Sequence, residues 1–289
     1  MVTSDSPKII VLGIDGLEYN LVEEWRLKNI MQKTYCKLDL SDYKVIVTTP
    51  IWGSMLTGKI DEEIMRIWVK RSEIMGGEKT VKQKWWAKFG LFLPPSVNLW
   101  LWVNVFEKFI GGDPFGRTAN YILEKKELTI FQFFKNSWTN GIPSYGKNTS
   151  TTIKRDLMKQ AILKEKTPYR NHVIQNYKDD KAQLFSVLEK PEIDFVFWYT
   201  SLLDDLGHID MGRPVALMMK HYLDINEVVG RVKETRPDSI IYVISDHGMK
   251  PSKGILGTHS NHAFFSSNSG ETIEKPFQLY NLISKHKSG

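Results

Sequence analysis

Residues 244–262, ISDHGMKPSKGILGTHSNH, hold Asp246, His247, His259 and His262, so three of the chain's seven histidines fall in one short stretch. Asp15 in GIDG, Thr48 and Thr49 in TTPIWGSMLTG, and Asp204 and His208 in DDLGH come earlier. Carboxylate and imidazole together suit Zn²⁺, Mn²⁺ or Fe²⁺. Three aspartates and three histidines are too many for one catalytic ion that keeps open positions. They match two ions with about three protein ligands each. A pair of ions roughly 4 Å apart stabilises both the entering and the leaving oxygen of an in-line phosphoryl transfer. A hydroxyl held beside such an ion has a lowered pKa and can act as nucleophile, which is the role open to Thr48, with Thr49 as the alternative.

These residues need elements to bring them together, and each follows an apolar run. KIIVLGI (8–14), KVIVTTP (44–50), IDFVFWYT (193–200) and SIIYVI (239–244) read as four buried strands. After the second, Thr49 is expected as N-cap and Pro50 as the first helical residue, with Thr48 at the strand end. HVIQNYKDDKAQLFSVL (172–188) and ALMMKHYLDINEVVGRV (216–232) repeat apolar residues at helical spacing. LTIFQFFKNSWTNG (128–141) reads as a helix stopped by Gly141. The alternation implies an α/β fold, a mainly parallel central sheet with helices on both faces. Ligand sites of such sheets gather at the carboxyl ends of the strands, where the loops carrying Asp15, Thr48, Asp204 and Asp246 would meet.

The chain has 289 residues, 42% hydrophobic and 25% charged, enough for a packed core and inconsistent with wholesale disorder. It reads as a single catalytic domain over 1–289 with an aromatic-rich insertion or cap at about 60–127, which holds five of the nine tryptophans. The formal charge of +6 suits an anionic small molecule, and no Lys/Arg block is long enough to imply specific nucleic-acid binding. Cys36 is the only cysteine, so no intrachain disulfide forms. The first residues lack the pattern of a signal peptide, and a cytoplasmic location is expected. The most apolar stretch, WWAKFGLFLPPSVNLWLWVNVF (85–106), is interrupted by Lys88, Pro94, Pro95, Asn98 and Asn104. It therefore lacks the roughly 20 continuous apolar residues of a spanning helix. A buried role, an apolar pocket or oligomer contact, and a membrane-surface contact all suit it. The oligomeric state is left open.

In order, GIDG, TTPIWGSMLTG, DDLGH, SDHGM and GTH resemble the motifs of the alkaline phosphatase superfamily, in particular its type I phosphodiesterases and nucleotide pyrophosphatases. The resemblance runs from residue 15 to residue 259. It implies an alkaline phosphatase-like fold, two divalent metal ions (zinc, with manganese as the alternative) and hydrolysis of a phosphate ester through a covalent phospho-threonine. It implies Asp15, Asp246 and His247 on one metal and Asp204, His208 and His259 on the other. Thr48 is then the nucleophile and touches metal as well. His262 is the alternative to His259. The spacing of four to His208 selects Asp204 over Asp205, which is read as a solvated acid along with Glu23 and Glu24. His172, His221 and His286 are read as structural or solvent-facing. TTPIW does not match the C/S-x-P-x-R motif of sulfatases. The alternative functions are a phosphomonoesterase, a phospho-group transferase, or a catalytically silent metal-binding protein whose insertion docks a partner.

Overall fold

The computed structural model describes residues 8–76, 118, 120–147, 152–163, 165–211, 216–252 and 257–287. The strands are β1 (Ile9–Ile14), β2 (Thr34–Asp39), β3 (Ser137–Thr139), β4 (Ile142–Pro143), β5 (Gly146–Lys147), β6 (Phe195–Thr200), β7 (Ile240–Ile244), β8 (Met249–Pro251), β9 (Gly257–His259) and β10 (His262–Ser267). The helices are α1 (Tyr19–Glu24), α2 (Lys28–Met31), α3 (Thr48–Thr57), α4 (Glu62–Gly76), α5 (Tyr121–Glu124), α6 (Thr152–Leu163), α7 (Thr167–Leu188), α8 (Leu202–Asp210), α9 (Ala216–Thr235) and α10 (Gln278–Ser284).

Six strands form the central sheet in the order β2-β10-β7-β1-β6-β3. β7, β1, β6 and β3 run parallel, and β10 is antiparallel to both of its neighbours. The apolar runs of β1, β6 and β7 are continuous because both faces of the sheet are covered. Ile10, Leu12, Val196, Trp198, Ile241 and Val243 face one core with α7, α8 and α9. Ile9, Val11, Phe195, Phe197, Tyr242 and Ile244 face the other with α3 and α10. In register, Ile14 pairs with Thr200 and Gly13 with Ile244, so β1, β6 and β7 end level and their following loops share one sheet edge.

Two expected elements differ. KVIVTTP forms no strand: Val47 is extended (φ −143°, ψ 144°), but no strand among the described residues pairs with it, and α3 begins at Thr48. Val47 is the N-cap, and Pro50 sits in the first helical turn rather than at its first position. β-branched propensity made an extended connection here, because every place in the sheet beside β1 is taken by β6 and β7. Residues 128–141 form no long helix either. A capping box between Thr129 and Gln132 opens a single 3₁₀ turn, Ile130–Phe133. Phe134 then stacks on Phe195 at 4.6 Å, and Ser137–Thr139 join the sheet beside β6. Docking of these aromatics on the strand outweighs the helical pattern, and Gly141 (φ 87°) turns the chain out of a strand instead of a helix.

The 85–106 stretch lies outside the described residues, as does most of the 60–127 segment. Its described ends pack on the second core: Ile64, Met65 and Trp68 from α4, and Tyr121 and Ile122 from α5. Among the described residues, no helix is long and apolar enough to cross a membrane.

Candidate metal centre

Asp15 stands at the end of β1, buried, and Gly16 turns the chain away with φ 76°. Asp246 and His247 follow β7, and both are fully buried. Asp204 and His208 lie one turn apart in α8, which starts directly after β6. His259 ends β9, whose pairing with β8 folds it back beside the His247 loop, with Met249 opposite His259.

Their atoms converge as two adjoining groups. Asp15, Asp246 and His247 form one. His247 Nε2 lies 3.4 Å from Asp15 Oδ1 and 3.3 Å from Asp246 Oδ2. In the second, Asp204 Oδ1 lies 3.3 Å from His208 Nε2 and 3.4 Å from His259 Nε2, and the two imidazole nitrogens are 3.3 Å apart. A tetrahedral ion with metal–ligand bonds of about 2.0–2.1 Å sets its ligand atoms about 3.3 Å apart. The side chains are therefore spaced as the corners of such sites. His247 adjoins both groups, with Nε2 at 4.0 Å from Asp204 Oδ1 and its ring stacked on His259 at 3.7 Å.

The donor atoms fit cations chemically. Asp15 Oδ1, Asp204 Oδ1, both oxygens of Asp246 and His247 Nε2 are buried and have no hydrogen-bond partner among the described residues. Such atoms cost about 1–3 kcal/mol each when left unmatched, and a cation matches all of them together. The histidines are oriented from behind. His247 Nδ1 donates to the Gly248 carbonyl at 3.2 Å, His259 Nδ1 to Ile46 at 3.0 Å, and His208 Nδ1 to Gly257 at 3.4 Å. A carbonyl only accepts, so in each neutral ring the proton sits on Nδ1 and Nε2 is left to present its lone pair to the centre.

Crowded acids shift one another. Burial and the nearby Asp204 charge push Asp15 up to about 7, and burial with the charges of Asp15 and Asp204 raises Asp246 well above the carboxylate range. Burial acts the same way on Asp204, but His208 and His259 outweigh it and hold its carboxyl well below that range. Burial lowers His208, and Asp204 more than offsets this, raising it to about 9. Burial and the neighbouring His259 keep His247 well below its ordinary value.

Thr48 is the first residue of α3, half-buried, two residues after the Ile46 carbonyl that holds His259. Thr49 is buried, and its carbonyl accepts the Ser144 hydroxyl at 2.7 Å. His262 lies outside both groups and donates from Nε2 to Glu18 Oε1 at 2.8 Å. Asp205, expected as a solvated acid, is buried, because the opposite face of α8 is covered. It accepts from Tyr169 at 3.0 Å and Ser201 at 2.7 Å and pairs with Lys154 at 2.8 Å. His172 contacts Asn176, and His286 contacts Glu271, both away from the centre.

Sequence reasoning missed Tyr199 and Glu18. Tyr199 donates its hydroxyl to Asp15 Oδ2 at 2.6 Å. The side chain of Asn140 grips the Tyr199 backbone at both N–H and C=O, at 2.9 and 2.8 Å. The position of Tyr199, level with the end of β1, was the available signal. Glu18 is buried three residues after Asp15, and its position in GIDGLE was the only hint.

Two solved structures of murine ectonucleotide pyrophosphatase/phosphodiesterase 5 (ENPP5) resemble the chain at 14% identity. The TM-scores are 0.37 and 0.35, the second for an inactive threonine-to-alanine variant in complex with AMP. Each match covers 84% of this chain, which spans 57% of the solved one. No curated protein matches. The family model described as type I phosphodiesterase / nucleotide pyrophosphatase matches residues 9–275. The chain belongs to the type I phosphodiesterase / nucleotide pyrophosphatase family.

Proposed function

We propose that this protein is a metal-dependent hydrolase of small phosphate esters that prefers diesters and works through a phospho-threonine on Thr48. The observation that carries the reading is the 3.3–3.4 Å spacing of buried, otherwise unmatched ligand atoms in both groups. Asp15, Asp246 and His247 would hold one divalent cation and Asp204, His208 and His259 the other, zinc or manganese by donor type. Bound there, the cations would lower the pKa of a nearby hydroxyl and neutralise charge growing on the phosphoryl oxygens.

The chain's own residues supply the rest. The N–H groups of Thr48 and Thr49, in the first turn of α3, have no intrahelical partner and can donate to non-bridging phosphoryl oxygens. Thr48 Oγ1 forms a bond to phosphorus as the bond to the leaving alcohol breaks. Water then displaces Thr48, releasing a phosphate monoester and restoring the hydroxyl. We read residues 1–289 as one catalytic domain and assign substrate choice to the 60–127 segment, because its Trp100 and Trp102 are suited to stacking on a base or covering an apolar chain.

The test pairs a metal count by plasma mass spectrometry with assays on p-nitrophenyl phosphate, bis-p-nitrophenyl phosphate and thymidine p-nitrophenyl phosphate. About two ions per chain and faster diester cleavage are expected. A protein that takes up no metal after reconstitution overturns the reading, and faster monoester cleavage turns it into a phosphatase.

A further inference from the structure

Glu18 sits beneath the metal centre without belonging to either group. It is 4% exposed, and its carboxylate accepts hydrogen bonds from two segments, its own turn at Asn20 and residues 260–262. Oε2 takes the Ser260 hydroxyl at 2.5 Å. Oε1 takes His262 Nε2 at 2.8 Å, the Asn20 side-chain amide at 2.8 Å and the Asn20 backbone N–H at 3.1 Å. Gly248 passes directly over the carboxylate. A Cβ there would lie 2.2 Å from Glu18 Oε2, so only glycine admits the contact.

The stretches that meet around Glu18, its own, that of Gly248 and that of Ser260 and His262, each carry a proposed ligand close by. Asp15 is three residues before it, His247 precedes Gly248, and His259 precedes Ser260. The backbone closes the same ring. Ser260 N–H donates to the Gly248 carbonyl at 2.8 Å and Gly248 N–H to the His262 carbonyl at 2.9 Å. Glu18 N–H donates to the Tyr222 hydroxyl at 3.1 Å, which ties the hub to α9. An ionised carboxylate accepts from all of these groups at once; a carboxamide presents an NH₂ to Ser260 or to His262, so the hydroxyl must turn to accept or the imidazole must change tautomer.

We propose that Glu18 is a positioning residue for the two-cation centre, setting the spacing of Asp15, His247 and His259 through Ser260, His262 and Gly248. This rests on the cation-binding reading of those ligands. Loss of a group that orients ligands from behind lowers metal affinity by roughly 10–100-fold. A purely structural glutamate would lower stability equally with and without metal.

The experiment measures Zn²⁺ affinity, by competition with a chromogenic chelator, and melting temperature with and without Zn²⁺. It uses the wild-type chain, Glu18→Gln and Ser260→Ala. Expected is a roughly 10–100-fold loss of Zn²⁺ affinity in Glu18→Gln and a smaller loss in Ser260→Ala. The melting gain on adding Zn²⁺ should shrink in the same order. Wild-type affinity in both variants, with equal melting shifts in the two metal states, overturns the proposal. If Glu18→Gln does not fold, Ser260→Ala and His262→Gln decide by the same two readouts. A wild-type chain that binds no Zn²⁺ removes the cation reading and this role together, an outcome distinct from a binding wild type with unaffected variants.

Discussion

The N–H of Asp204 donates to the backbone carbonyl of Asp15 at 3.1 Å. One hydrogen bond thus joins the two groups through Asp15 and Asp204, and ties β1 to the first turn of α8 at the sheet edge. The contact exists because Gly16 has no side chain. Its φ is 76°, and a Cβ there would lie 2.7 Å from both Asp204 N and Asp204 Cα.

Gly16→Ala should therefore damage both groups at once. Left-handed backbone strain and a clash with main-chain atoms together cost about 2 kcal/mol or more. The clash pushes Asp204 away from Asp15, so metal content should fall below that of the wild type even in protein that remains folded. Urea denaturation and metal analysis on the same preparation check this. Wild-type stability with full metal loading would refute it.

Tyr199→Phe isolates support for a single ligand. The Tyr199 hydroxyl meets Asp15 Oδ2 at 2.6 Å, and Asn140 fixes the tyrosine backbone behind it. Removing the hydroxyl leaves that oxygen free to rotate, and the expected loss in metal affinity is roughly 10–100-fold. Packing changes little, since the ring still meets Trp52 at 5.3 Å. Zinc titration against a chelator is the measurement, and an unchanged affinity would show that the cation and packing alone hold Asp15.

Much of the sheet was legible because burial on both faces writes itself as continuous apolar runs, as in β1, β6 and β7. The residues following those runs, Asp15, Asp204 and Asp246, could be placed together at one sheet edge because strand ends determine where loops go. β10 and β2 were missed. β2 is only partly buried, and its TYCKLD mixes apolar and polar residues without a clean period. KVIVTTP misled for the opposite reason: it has strand composition with no free neighbour to pair with. The supporting residues were illegible because their roles depend on contacts far along the chain. Glu18 meets Ser260 and His262, and Tyr199 meets Asp15, across more than 180 residues in each case.

Thr48 and Thr49 are adjacent in sequence yet differ in surroundings. Thr48 is half-buried at the start of α3, whereas Thr49 is 4% exposed and pinned through its carbonyl by Ser144. Thr48→Ala should lower kcat by roughly 10⁴-fold or more while metal stoichiometry stays at the wild-type value. Thr49→Ala should retain turnover and lose about 1 kcal/mol of stability. Assays on thymidine p-nitrophenyl phosphate, with metal analysis alongside, separate the two. Retained activity in Thr48→Ala together with loss in Thr49→Ala would reverse the assignment.

Metal binding should depend on pH in a direction set by the ligands' protons. Burial and the Asp204 charge raise Asp15 to about 7, and Asp246 lies well above the carboxylate range, so both carry protons in metal-free protein in mildly acidic solution. Asp204 raises His208 to about 9, so that ring is protonated at neutral pH. A cation needs these sites deprotonated and must displace the protons, so affinity falls as pH falls, by about tenfold per pH unit for each proton displaced. Below about pH 7 Asp15 adds its proton to the one on Asp246, so affinity at that group should fall more steeply there, and affinity at the His208 group should keep rising up to about pH 9. Zinc titrations by calorimetry, in buffers of different ionisation enthalpy, count the released protons directly. His208→Gln should remove the contribution that titrates near pH 9 and leave the one near pH 7. Binding without proton release in any buffer would mean that the ligands are already deprotonated, and the raising of Asp15 by burial and Asp204, and of Asp246 by burial, Asp15 and Asp204, would then be refuted.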